Sequence, residues 1–359
     1  MRTGTQSLSV IFLVMTLASP LDLSGLPTRI ELAWPEKGSA FSIEHLATMA
    51  SPSDAGIRRS LFSRFVDVVA GPPDRTRTLI RPFTLASDAH GRLAVVDPAG
   101  SAVHLYDPKT NKYRNLAGAS KERFRSPIGA DWDALGNLYV SDSELGKIFV
   151  FNRDGRFTRF IGALRGGEGY FKRPTGLAVD RSSGHIYLTD TLRHQVLVLD
   201  ERGEVLKEWG QRGEGAGEFN YPTAVAIATD RVFVLDSMNF RVQAFTPEGR
   251  FLQSFGKPVN EPGGLFRPKG LAVDSDRQLV YVVDAMFELV QAFNYQGDLQ
   301  FAFGHTGSGA GEFRLPAGIC LQGDGKLLVA DTYNGRIQVF QAGGPGFRAI
   351  GHSVGEIAR

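Results

Sequence analysis

Six aspartates set the frame of this chain. Asp97, Asp142, Asp190, Asp236, Asp284 and Asp331 recur at spacings of 45, 48, 46, 48 and 47 residues. Each closes an apolar run, and a short polar turn and a second β-rich run follow. Residues 327–340, LLVADTYNGRIQVF, show the pattern at its clearest and read as a β-hairpin. Upstream of each aspartate lies a proline, at Pro82, Pro127, Pro174, Pro222, Pro268 and Pro316, that opens a strand of small and β-branched residues. Downstream, the third strands read VHLY, IFVF, VLVL, VQAF, VQAF and IQVF, and fourth strands follow, as at 251–255 and 299–303. Four short strands repeated six times at one phase is the period of a β-propeller blade. The expected fold is therefore all-β: a six-bladed β-propeller of four-stranded antiparallel blades over 81–350, with blades starting near 82, 127, 174, 222, 268 and 316.

The units RPTGLAVD…HIYLTDTLRHQVLVLD and RPKGLAVD…LVYVVDAMFELVQAF resemble NHL repeats, and the resemblance runs over about three quarters of the chain. The WD dipeptide and the paired glycines of kelch repeats are absent. The layout is similar to bacterial exported NHL proteins, which place a strand and a helix before six repeats. That resemblance implies a propeller with no assigned chemistry, accompanying envelope redox proteins such as exported multihaem cytochromes.

Composition bounds the rest. Hydrophobic residues make up 42% and charged residues 22%, a globular balance. A formal charge of +2 gives no reason to expect nucleic acid as a partner. Cys320 is the only cysteine, so neither an intramolecular disulfide nor a CxxCH haem attachment exists. Arg2 followed by the apolar run at 8–18 (LSVIFLVMTLA) reads as an export signal over 1–25, too short for a comfortable membrane span. The expected location is periplasmic or extracellular, with membrane attachment only through an uncleaved signal. Residues 26–80 should hold a closing strand and an amphipathic helix. The helix reads over 51–71, with Ser53 as N-cap and Ile57, Leu61, Phe62, Phe65, Val66 and Val69 on one face. The strand, near 41–49, is placed to complete the sixth blade.

Site expectations follow from blade geometry. First strands line the axis, so alternate positions should be small. Two rings obey: Thr84, Gly129, Gly176, Ala224, Gly270 and Gly318, then Ala86, Asp131, Ala178, Ala226, Ala272 and Cys320. Asp131 is the one carboxylate in these rings and the candidate metal residue. One face carries the Gly-rich loops GGEGYF, GEGAGEF, PGGLF and GSGAGEF, whose Phe171, Phe219, Phe266 and Phe313 are expected between blades. These loops precede strands, not helices, so they are not phosphate cradles. The same face bears Arg193, His194, Met238, Asn239, Phe240, Met286, Phe287, Tyr333 and Asn334, with Arg267 and Lys269 near the mouth. Exposed Met and aromatic groups around a ring suit a protein partner. Lys147, Arg241 and Arg336 stand five residues after an aspartate and are expected to form structural pairs.

Two functions compete. One is a non-enzymatic protein-binding or scaffold module, with no cofactor. The alternative is a metal-dependent lyase or lactonase-like hydrolase with Ca or Zn at the axis, which needs several convergent ligands. The seven histidines fall in different phases of the repeat and do not converge. That scatter favours the binding module.

Overall fold

A computed structural model describes residues 41–57, 78–119, 121–259, 261 and 263–344. They lie within one of the two units into which the chain divides, residues 32–359. The export signal and the helix beyond residue 57 fall outside the described residues. Within 51–57 the chain makes turns.

Six four-stranded antiparallel sheets follow one another. Blade one comprises Thr84–Ser87, Leu93–Asp97, Ala102–Asp107 and Lys112–Leu116. Blades two and three comprise Pro127–Trp132, Leu138–Asp142, Lys147–Phe151 and Phe157–Ile161, then Pro174–Val179, Ile186–Asp190, Gln195–Leu199 and Val205–Trp209. Blade four is Pro222–Ile227, Val232–Asp236, Arg241–Phe245 and Phe251–Phe255, and blade five is Pro268–Asp274, Leu279–Asp284, Leu289–Asn294 and Leu299–Phe303. Blade six takes Ile319–Leu321, Lys326–Asp331 and Arg336–Gly343 from the end of the repeats, and Ser42–Met49 as its outer strand. That strand runs antiparallel to its neighbour, with Ser42 opposite Gly343, His45 opposite Phe340 and Met49 opposite Ile337. A sequence separation near 300 residues thus closes the ring.

Blade periodicity follows from where the apolar groups go. Second and third strands are apolar on both faces because each blade is covered on both sides by its neighbours. Tyr281, Phe303, Phe313, Val329 and Phe340 join blades five and six, and Ala94, Trp132, Val140 and Phe149 join blades one and two. Each such aromatic stabilises the ring by about 1.5–3 kcal/mol. Fourth strands see solvent on one side and alternate less strictly.

The aspartates that frame the sequence tie each blade to its own entry loop. All six are fully buried. Asp97 accepts from the N–H groups of Ile80 (2.6 Å) and Arg81, Asp142 from Arg125 and Ser126, Asp190 from Lys172 and Arg173, and Asp284 from Phe266 and Arg267. Asp236 and Asp331 accept from Asn220 (2.6 Å) and Arg314 (2.8 Å). A buried carboxylate survives only when so satisfied. The hydroxyl one residue later often staples the next blade. Thr191 donates to the Pro222 carbonyl at 2.7 Å and Thr332 to the Pro82 carbonyl at 2.8 Å.

Candidate functional site

The first strands surround an axial cavity of about 940 Å³. Both expected rings line it, but their smallness has a different cause from crowding at the axis. A Cβ on Gly176 would stand 2.5 Å from the Ala224 Cα of the next blade, and one on Gly129 2.1 Å from the Thr175 carbonyl oxygen. The ring residues face the neighbouring inner strand, and the cavity runs along their edge. The register shifts after Pro127, Pro174, Pro222 and Pro268 fall on the same stretch of the first strands.

Asp131 occupies the cavity wall at 23% exposure. Its carboxylate accepts from the N–H of Trp132 at 2.8 Å and, across the blade boundary, from that of Val179 at 2.8 Å. Arg181 Nη2 lies 3.9 Å away. Burial pushes its pKa up, against the pull of those N–H groups and of Arg181. The Cys320 thiol is pushed up to about 12 by burial, helped by the charge of Asp131, so it is not an activated nucleophile. Among the described residues, no three His, Cys, Asp or Glu side chains stand together as metal ligands. Burial depresses the pKa of His104, whose ring bonds the Tyr113 hydroxyl at 2.8 Å, and His194 is buried in another blade.

On the face of the Gly-rich loops, the candidate residues divide by chemistry. Four are occupied with architecture. Arg193 donates to the Tyr170 carbonyl at 2.8 Å and stacks on its ring, and His194 bonds the backbone around Phe219. Asn239 and Asn334 donate to Gly213 and Gly307 carbonyls and to Asp236 and Asp331. Met238 (52% exposed), Met286 (54%) and Tyr333 (56%) are open to solvent. Phe240 and Phe287 are half-buried and flank Phe266, with ring centroids 6.1 and 5.9 Å from it.

Phe266 departs from the expectation that it fills the gap between blades. It is 44% exposed, while Phe171, Phe219 and Phe313 are buried. Leu265, fully buried, takes the corresponding slot in blade five. The aspartate contacts show why. The N–H that follows the plug residue is Lys172, Asn220 and Arg314 in the other blades but Phe266 in blade five. Counted from the blade-entry proline, the plug stands three residues before it in each of these blades, at Phe171, Phe219, Leu265 and Phe313. The counterpart in blade five is therefore Leu265, and Phe266 takes the outward place that Lys172, Asn220 and Arg314 hold elsewhere.

The cations divide similarly. Arg241 Nε bonds Asp236 at 2.9 Å and Arg336 Nε bonds Asp331 at 2.6 Å, as expected. Lys147 does not reach Asp142. Its ammonium pairs with Glu122 at 2.9 Å, on the loop entering blade two. Arg81, which the repeat reading passed over, stacks on Tyr333 at 4.8 Å, and its recurrence as Arg-Pro with Arg173 and Arg267 was the available signal. Among the described residues, the side chains of Arg173, Arg267, Lys269 and Arg314 engage no carboxylate. Burial, and secondarily Arg267, lowers the Lys269 pKa.

The NHL repeat model matches residues 171–199 and 313–340. No curated protein matches the sequence. Similar solved structures include virginiamycin B lyase from Staphylococcus aureus, at 14% identity and TM-score 0.52 over 73% of this chain and 95% of that one. A gluconolactonase from Xanthomonas campestris aligns at 15% identity and TM-score 0.57, over 84% of this chain and 90% of that one. An auxiliary nutrient binding protein from Bacteroides ovatus aligns at 14% and TM-score 0.58, over 74% of this chain and 70% of that one. At such identities the likeness shows the fold alone.

Proposed function

We propose that this chain, a six-bladed β-propeller carrying NHL repeats, is an exported, non-enzymatic protein-binding module that docks its partner on the face of the Gly-rich loops. One observation carries this reading: Met238, Phe266, Met286 and Tyr333 are exposed on turns that buried aspartates hold in place. Apolar groups on a rigid platform give contact area at little ordering cost. Arg267 and Arg314, exposed beside them, suit a partner whose apolar patch is fringed with carboxylates. Exported redox proteins are the partner class that the family resemblance implies.

Affinity capture from the native envelope fraction tests this. Wild type should retain a defined partner that the triple variant Met238→Ser, Met286→Ser, Tyr333→Ser releases. Equal recovery by both would remove the face from consideration. The second reading, a metal-dependent lyase or lactonase-like hydrolase, draws on the axial cavity and on Asp131 in its wall. Stoichiometric Zn or Ca in purified protein, lost in Asp131→Ala, would put it first.

A further inference from the structure

The axial cavity has two unlike ends. Where the first strands finish, every charge is answered. Asp131 is held by two N–H groups and Arg181, and Arg181 itself spans to blade one, donating to the Ser87 carbonyl at 2.8 Å. Asp180 accepts from the Ser182 and Ser183 hydroxyls at 2.7 and 2.6 Å. Where the first strands begin, Arg173 and Lys269 line the same cavity from blades three and five. Among the described residues, neither side chain has a hydrogen bond, an ion pair or a ring partner. Lys269 is only half-exposed, and the charge that bears on its ammonium is that of another cation, Arg267. The wall between the ends is small and uncharged, with Gly176, Ala178, Ala226 and Ala272 along it.

We propose that this cavity binds a small organic anion, its head group on Arg173 and Lys269 and its uncharged body along the Gly and Ala wall. A partly desolvated ammonium without a counter-charge costs free energy that an incoming anion recovers. Two cations from separate blades line one end of the cavity and offer charge to a carboxylate or phosphate head there. The answered charges at the far end offer no second ionic contact, so a single anionic head with an apolar tail fits better than an anion charged at both ends. At about 940 Å³ the space matches a small-molecule site. The site is separate from the rim that carries the proposed partner surface, and it does not depend on that partner.

Calorimetric titration of the purified protein tests it, with hexanoate, hexyl phosphate, inorganic phosphate and hexylamine as probes. Hexanoate or hexyl phosphate should bind saturably at one site, and the tighter of the two identifies the head group. Inorganic phosphate should bind about tenfold more weakly for want of the tail, and hexylamine should not bind. Lys269→Met and Arg173→Gln should each weaken the tailed anion about tenfold, while Lys269→Arg retains it. Should Lys269→Met fail to fold, Arg173→Gln and Lys269→Arg still decide. The rim variant Met238→Ser, Met286→Ser, Tyr333→Ser should bind the probes as wild type does. Absence of saturable binding by either tailed anion overturns the proposal. So does binding untouched by both Arg173→Gln and Lys269→Met. If no probe binds and Lys269→Met abolishes partner capture, the two cations belong to the docking surface instead.

Discussion

Blades four and six solve a problem that blade five solves differently. In blade four, Asp236 Oδ2 accepts from Asn239 (2.8 Å), Arg241 (2.9 Å) and Gln243 (3.1 Å). In blade six, Asp331 Oδ2 accepts from Asn334 (2.9 Å), Arg336 (2.6 Å) and Gln338 (3.1 Å). The arginines then reach on to the Gly-rich arch, Arg241 to the carbonyls of Gly215 and Glu218, and Arg336 to those of Gly309 and Glu312. Blade five has Phe287 and Leu289 where those blades have Asn and Arg. There Asp284 is satisfied by backbone alone, from Phe266, Arg267, Met286 and Phe287. Once the backbone supplies the donors, the turn side chains are released from structural duty. Met286, Phe287 and Phe266 gather at the surface, and no hairpin arginine is consumed there. These freed side chains join Met238 of blade four and Tyr333 of blade six on the same face.

The two blades with the same network differ in one respect, which gives the largest expected effect. Blade four owns its outer strand, whereas blade six borrows Ser42–Met49. Deleting residues 42–49 removes the burial of Ile43 and Met49, about 1.5–3 kcal/mol each, and strips the edge of Arg336–Gly343. The thermal midpoint should fall by about 10 °C or more. An unchanged midpoint would show that closure does not need this strand.

Next in size are the aspartates themselves. Asp331→Ala should cost about 3–5 kcal/mol in chemical denaturation, because Arg336 is left as an uncompensated, largely buried cation. Asp284→Ala leaves N–H groups unpaired but strands no charge, and about 2–3 kcal/mol is expected. Equal losses at the two sites would break the distinction between side-chain and backbone satisfaction.

Much of this was legible in the sequence because one demand is repeated six times. Asp-ended second strands, prolines at the blade entry and alternating third strands each answer the same packing problem in every blade, so period and fold class followed. The pairing of Arg241 and Arg336 was legible for the same reason. What escaped lies between repeats. Lys147 pairs with Glu122 on a loop that belongs to no periodic position. The Val179 N–H that holds Asp131 is on the next blade, 48 residues away. His194 and Phe240 sit at φ near 55° on their turns, at 55° and 54°, and strand alternation does not say whether such a side chain faces inward. The shared phenylalanine pointed to Phe266 as the blade-five plug, although Leu265 holds the place three residues before Pro268 that Phe171, Phe219 and Phe313 hold before their prolines.

A smaller effect tests whether the blade-four network transfers. Arg336→Met should cost about 2–3 kcal/mol through its lost charge-assisted bonds, less than Asp331→Ala because the Arg314 N–H, Asn334 and Gln338 still satisfy the carboxylate. The reciprocal change, Leu289→Arg, places a guanidinium five residues after Asp284 and should stabilise by under about 1 kcal/mol, since this position is half-exposed. If Leu289→Arg destabilises, the arch of blade five has lost the carbonyl geometry that receives an arginine, and the two designs are exclusive.

The smallest effect concerns the unmatched cation of blade five. Folding lowers the Lys269 pKa, so the charged form at neutral pH is a cost of the folded state. That cost is fully present below the lowered folded pKa and disappears as pH rises through the ordinary lysine value of about 10.4. Lys269→Met should therefore stabilise the unliganded protein at pH 7, by under about 1 kcal/mol because cavity water screens the ammonium. The advantage should shrink to nothing as denaturation is repeated up to about pH 11. A pH-independent difference would assign it to packing of the methionine side chain. Destabilisation at pH 7 would mean that the ammonium already has a counter-charge, and blade five would lose the feature that separates it from blades four and six.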